Sequence, residues 1–225
     1  VMELLKSHHA ADIQWGNHDI IWMGAACGNK FDVAEVIRLT ARYGSLDTIE
    51  DDYGINLMPL ITFAITTYEN DPAVPFIPKG TKPENYSDAN VRLMTMIHKA
   101  IAVISFKLEG QLVMRNPDFD MSHRLLLDKI DYEKGTIFID GADYPLKDYY
   151  FPTIDPKNPY ALTPEEELVM NKLTSSFLNS AKLQDDVSFL FAKGSVYLVY
   201  NNNLMLHGCI PMKSETEFKE FNHKG

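Results

Sequence analysis

The chain has 225 residues, of which 45% are hydrophobic and 23% charged, with 12 Gly, 12 Pro and 2 Cys. This composition excludes collagen-like, low-complexity and wholly disordered chains, and a chain of this length can bury roughly 70% of its unfolded surface without disulfide or metal staples. Its 21 Lys+Arg against 31 Asp+Glu, a net charge of −10, exclude the basic footprint of a non-specific nucleic-acid or membrane-surface binder.

A phosphorylated substrate is not excluded, because bound cations can supply positive charge that the sequence lacks. No apolar run reaches transmembrane length, since the longest candidates are broken by Arg92, His98 and Lys99. Cys27 and Cys209 lie far apart and read as free thiols of a reducing compartment, so the cytoplasm is the expected location. The opening Val1 to Lys6 is amphipathic and helical, unlike a signal peptide.

In chain order, Met2 to His8 reads as the end of a helix. Ala11 to Trp15 reads as a strand, running into a loop at Gly16-Asn17-His18-Asp19. Val33, Val36, Ile37 and Ala41 recur at helical spacing up to a stop at Tyr43-Gly44. Ile55 to Tyr68 is an apolar helix with Pro59 in its first turn, and the proline-rich Asn70 to Asn85 is a loop. Ser87 or Asp88 caps a long central helix that is expected to end near Glu109-Gly110. Asp140-Gly141 between Thr136 to Ile139 and Ala142 to Leu146 is a hairpin signal. Tyr149 to Tyr160 is irregular, and Thr163-Pro164-Glu165-Glu166 is a capping box opening a helix to about Leu183. Two strands, Ser195 to Tyr200 and Leu204 to His207, flank Asn201-Asn202-Asn203 at the end. A strand-and-loop piece at each end, with a helical block between, predicts an α+β core interrupted by an insertion.

Two strings carry chemistry. In Gly16-Asn17-His18-Asp19 the Asn oxygen is a hard ligand suited to a divalent cation. The adjacent His can donate a proton to a phosphoryl oxygen, and an Asp can fix that imidazole's tautomer. The bland alternative is a polar turn whose Asn and Asp cap the following helix. His207-Gly208, at the end of an apolar strand, can reach a metal across a sheet edge, although alone it reads more readily as a hydrogen-bonded core histidine.

These two strings match the third and fourth motifs of calcineurin-like metallophosphatases. Longer strings narrow the resemblance: Asp12-Ile-Gln-Trp-Gly-Asn-His-Asp-Ile-Ile-Trp-Met-Gly-Ala25, Ala41-Arg-Tyr-Gly-Ser-Leu-Asp-Thr48, Tyr53-Gly-Ile-Asn-Leu57, Phe106-Lys-Leu-Glu-Gly-Gln111 and Leu206-His-Gly-Cys-Ile-Pro211 resemble bacterial class III fructose-1,6-bisphosphatase. The resemblance spans nearly the whole chain. It implies a gluconeogenic, two-metal hydrolase that converts fructose 1,6-bisphosphate to fructose 6-phosphate and phosphate with Mn²⁺. Asn17 and His207 are then ligands of one metal, His18 stabilises the transition state or protonates the leaving oxygen, and Asp19 holds His18. Two cations about 3.5–4 Å apart would clamp the phosphoryl group.

The same resemblance implies three further motifs (Asp-x-His, Gly-Asp-x-x-Asp-Arg/Asn and Gly-His-x-His) that this sequence does not contain. The expectation is therefore an internal fragment, inactive alone. Its residues 1–30 and 191–225 would belong to the metallophosphatase core, and 31–190 would be a mainly helical insertion. The expected partner is a sugar bisphosphate, with no nucleic acid and no membrane, and a homo-oligomer is left open. Competing readings are a helical regulatory or interaction module with vestigial phosphatase strings, and a phosphoesterase of the same superfamily with another substrate.

Other polar residues read as structural. His8-His9 reads as solvated surface, His98 as a locally satisfied buried histidine, His123 as the cap of a short helix following it, and His223 as part of a polar tail. Asp51-Asp52 and Glu165-Glu166-Glu167 read as solvated or capping charge. Arg38, Arg42 and Arg115 could meet a sugar phosphate by residue type alone, and Trp15 and Trp22 read as core packing.

Overall fold

The computed structural model describes residues 1–221, so His223 lies outside the described residues. Seven α-helices are described: α1 (Met2–Ser7), α2 (Asn17–Ala26), α3 (Lys30–Tyr43), α4 (Met58–Tyr68), α5 (Ala89–Arg115), α6 (Pro164–Asn179) and α7 (Ala181–Lys193). Local chemistry sets their ends. Asn29 caps α3 by accepting the Phe31 N–H at 3.0 Å, and Gly44 closes it with φ at 70°. Asp88 caps α5, accepting the Asn90 N–H at 2.8 Å, and Thr163 with Glu166 forms the predicted capping box of α6.

Helices α2 to α7 share one core. Val33, Ile37 and Ala41 of α3 meet Ile97, Ile101 and Ile104 of α5, with Leu60 of α4, Leu173 and Phe177 of α6 and Leu183 and Val187 of α7 around them. Met23, Ala25 and Ala26 of α2 join the same cluster, so the helix that follows the Gly16 turn is anchored in the helical block. Trp22 packs against that cluster, 5.3 Å from the Tyr53 ring, and Trp15 packs at its margin, as expected.

Helix α5 is buried nearly all round and carries two fully buried lysines. Lys99 pairs with Asp71 and with Asp148 (2.7 Å), ringed by Tyr68, Phe76, Tyr150 and Phe151. Lys107 donates to Glu166 at 2.7 Å and to the Thr153 carbonyl at 2.6 Å. Burial pulls the Lys107 ammonium below the usual lysine range, and Glu166 opposes that pull. The two lysines fasten the irregular strap 148–160 to α5.

Several elements differ from expectation. Helix α5 runs past Glu109-Gly110 to Arg115. Gly110 is no stop, because the Tyr160 ring lies where its Cβ would be. The helix expected to reach Leu183 breaks at Ser180, whose hydroxyl accepts the Leu183 N–H and donates to the Tyr53 carbonyl at 2.6 Å. Helix α7, which follows, has no counterpart among the expected elements. Among the described residues His123 makes no cap; it lies within a 3₁₀ turn, Ser122–Arg124, whose N-cap is Met121. Glu166 does more than cap: it is fully buried against Lys107, whereas Glu165 stays exposed and Glu167 pairs with Lys30. His98 is buried with its Nδ1 2.7 Å from the Phe76 carbonyl, as predicted. Arg38 is occupied by Glu35.

The strands are short. β2 (Ile130–Asp131), β3 (Thr136–Ile139) and β4 (Ala142–Pro145) form an antiparallel sheet whose β3–β4 turn is the predicted Asp140-Gly141, with φ at 50° and 85°. β1 (Ile13–Gln14) pairs in parallel with β5 (Gly194–Ser195), Ile13 opposite Gly194 and Gln14 opposite Ser195. Parallel strands require a long crossover, and residues between them supply it as the whole helical block. The strand expected from Ser195 to Tyr200 divides after Ser195. Its second part, β6 (Tyr197–Tyr200), pairs antiparallel with β7 (Asn203–Leu206) through a two-residue turn at Asn201-Asn202. β8 (Met212–Ser214) and β9 (Glu217–Phe218) form a last small hairpin. No helix among the described residues is long and apolar enough to cross a membrane.

Candidate metal and phosphate site

The site begins where β1 ends. The Trp15 N–H extends the β1–β5 ladder by donating to the Ser195 carbonyl at 2.9 Å, and the Trp15 indole donates to the Leu190 carbonyl at 3.0 Å. Gly16 is extended (φ −90°, ψ 174°) and is the N-cap of α2. Asn17, His18 and Asp19 therefore form the first turn of a helix, where a loop was expected. Asp19 reaches back to accept the Gly16 N–H at 2.7 Å, which closes the turn and places a negative charge at a helix N-terminus. That bond gives Asp19 a different partner from the expected one. Among the described residues no hydrogen bond joins it to His18. Asn17 and His18 project from the first turn as exposed side chains.

His207 follows β7 directly, and its ring lies on Gly16. A Cβ at position 16 would sit 2.8 Å from His207 Cε1 and 2.9 Å from Nδ1, closer than such atoms approach. Glycine leaves room for this contact, and any larger residue would require the His207 ring to shift. The two strings singled out in the sequence thus meet at one edge of the small parallel sheet, at the residue immediately before Asn17. His207 also lines an apolar cavity of about 510 Å³ with Trp15, Tyr197, Leu206, Cys209 and Pro211. The residue types at this edge are an amide oxygen (Asn17), a hard donor, and an imidazole (His207), a borderline donor, both of which divalent cations accept.

A second group of ligand-type side chains lies elsewhere. Carboxylate oxygens of Glu3, Asp185 and Asp186 fall within 4.8 Å of one another, a grouping that could hold a metal ion. Lys6 sits among them, paired with all three, and Asp185 then Asp186 hold its ammonium above the usual lysine range. The sequence reading missed this cluster, because Lys6 and Asp186 are joined only through the tertiary fold; no spacing signals it. Of the other candidates, His8 and His9 stack on each other at the surface, Arg115 is exposed, and Arg42 lies on α3.

The chain is α+β, with strand pieces near both ends and a mainly helical block between them, an arrangement consistent with a calcineurin-like metallophosphatase core carrying an insertion. The chain belongs to the Firmicute fructose-1,6-bisphosphatase family, which it matches over residues 1–225. It is 54% identical over 225 residues to a class 3 fructose-1,6-bisphosphatase of Clostridium novyi (strain NT), covering 100% of this chain and 34% of the relative. The class 3 protein of Clostridioides difficile (strain 630) is 53% identical over the same 225 residues, and that of Listeria innocua serovar 6a is 52% identical, each again with 34% of its length covered. The chain thus spans about a third of the length of the curated relatives it matches. No solved structure is significantly similar to it.

Proposed function

We propose that this chain supplies part of the active site of a metal-dependent phosphatase that hydrolyses fructose 1,6-bisphosphate to fructose 6-phosphate and phosphate in gluconeogenesis. The observation that carries the reading is the His207 ring packed on Gly16, beside Asn17 and His18. The family membership and the relatives' names support the substrate. In this reading residues 1–30 and the described part of 191–225, to residue 221, supply the catalytic edge, and 31–190 form the block that anchors it. Two exposed, free cysteines suit a reducing compartment, which supports a cytoplasmic location.

Asn17 and His207 would hold Mn²⁺ as ligands of one ion. When bound, the cation supplies positive charge against the phosphoryl oxygens and acidifies the attacking water. The protein's own residues do the rest. His18, exposed on the first turn of α2, donates to a phosphoryl or leaving oxygen, so its imidazole delivers the proton that the departing alkoxide needs. Asp19, by binding the Gly16 N–H, fixes the turn from which Asn17 and His18 project, and so orients both. Gly16 leaves room for His207. These donors are a minority of a two-metal site, so the 225-residue chain by itself is expected to bind Mn²⁺ weakly and to lack turnover.

The test replaces the matching third of the Clostridium novyi relative with this chain and measures phosphate release from fructose 1,6-bisphosphate with Mn²⁺. Turnover is expected. His18→Ala should lower it about 10²–10⁴-fold, and Asn17→Ala or His207→Ala should abolish it. Near-full activity in either ligand variant would remove the assignment. Clear turnover by the 225-residue chain alone would overturn the claim of an incomplete site.

A further inference from the structure

Helix α1 buries none of its side chains, so apolar packing does not fix it. What attaches it is Lys6, whose ammonium reaches across to Asp185 and Asp186 on α7. Asp186 is 3% exposed. A carboxylate so buried keeps its charge only if that charge is paired and hydrogen-bonded. One of its oxygens faces Lys6, and the other accepts the Tyr53 hydroxyl at 3.3 Å. The Tyr53 ring stacks 5.3 Å from Trp22 of α2, and the Tyr53 carbonyl accepts from Ser180 at the start of α7.

Each of these elements leads directly to the proposed site. Helix α1 runs into β1 and Gly16. Helix α2 opens with Asn17-His18-Asp19. Helix α7 runs into β5, the parallel partner of β1, and from there the chain passes through β6 and β7 to His207. We infer that Asp186, bridging Lys6 and Tyr53, is a positioning residue that aligns β1, the first turn of α2 and β5. It touches neither substrate nor metal. The ammonium of Lys6 takes the place that a cation would otherwise take among Glu3, Asp185 and Asp186. The functional meaning of this alignment rests on the proposed site, but the alignment itself is measurable without substrate or metal.

Amide hydrogen exchange on the 225-residue chain tests it. Lys6→Met should speed exchange at the Trp15 and Gly16 amides about tenfold or more while Ile101 and Ile104 of α5 change less than about twofold. Lys6→Arg, which keeps the charge, should restore protection. Tyr53→Phe removes only the hydroxyl and leaves the ring on Trp22, and it should produce a smaller acceleration at the same two amides. Unchanged exchange at Trp15 and Gly16 in Lys6→Met would overturn the inference, as would equal acceleration throughout α5 or failure of Lys6→Arg to rescue. Should Lys6→Met not fold, the Tyr53→Phe result decides in the same way. Failure of sugar-phosphate hydrolysis would leave the exchange result standing, and an unchanged exchange pattern would leave the hydrolysis reading standing.

Discussion

The helical block and the last strands treat apolar side chains in opposite ways. In the block, Ile37, Ile101, Leu173 and Phe177 are fully buried. From residue 196 onward, Val196, Tyr197, Val199, Tyr200, Leu204, Phe218 and Phe221 are each more than half exposed. A helix satisfies its backbone internally and needs only one packed face, so the six helices α2 to α7 make a closed core among themselves. A strand satisfies its backbone only through neighbours, one neighbour pairs only half of it, and a two-stranded unit is marginal by itself. The β1–β5 pair, β6–β7 and β8–β9 are all two-stranded. The proposed catalytic edge therefore takes its rigidity from the helical block, through α2, α7 and the Trp15 indole, and little from its own sheet.

That contrast can be broken at several points, in order of expected effect. Lys107→Met leaves Glu166 buried without its cation and should cost about 3–5 kcal/mol of unfolding free energy in urea titration. A loss under about 1 kcal/mol would show that the buried pair does not hold the block. Gly110→Ala places a methyl where the Tyr160 ring lies and disturbs the Tyr160 hydroxyl bond to Asp128 (2.6 Å). A cost of about 1–3 kcal/mol is expected, again by urea titration.

Asp32 supplies a pH signature within the block. Burial, then the neighbouring Glu35, pushes its carboxyl up to about 6 from 3.8. The folded chain thus holds a proton there that the unfolded chain has lost. This group's contribution to stability falls as pH rises from about 4 to about 6, and its cost is complete above that window. Because Asp32 is partly solvated, the difference should be on the order of 1 kcal/mol after screening. Asp32→Asn should remove this part of the pH dependence and stabilise the chain at neutral pH; an unchanged profile would contradict the assignment. Smallest of all, Val199→Thr on the exposed strand should change stability by no more than about 0.5 kcal/mol. A larger loss would mean that the terminal strands have a core of their own.

Much of the block was legible in the sequence. Helical spacing, the Tyr43-Gly44 stop, Asp88 as a cap, the Thr163–Glu166 box and the Asp140-Gly141 turn are local signals, and each forms where the residues predict. What escaped is non-local. Gly110 reads as a helix stop until Tyr160 arrives against it, and Ser180 reads as helix interior until its hydroxyl finds the Tyr53 carbonyl. Lys99, Lys107 and Asp186 look like surface charges because their partners are distant in the chain. At the proposed site, residue types and the family resemblance singled out Asn17, His18 and His207, but the Asp19 bond to Gly16 and the close packing of the His207 ring on Gly16 needed the fold.

The central claim is that Asn17 and His207 face one metal. Titration of the 225-residue chain with Mn²⁺, followed by paramagnetic broadening of assigned resonances, tests it directly. The account predicts that Asn17 and His207 signals broaden together, at concentrations below those affecting Glu3 and Asp185, where Lys6 already supplies the charge. Broadening confined to the Glu3–Asp185–Asp186 cluster, or reaching Asn17 without His207, would contradict it.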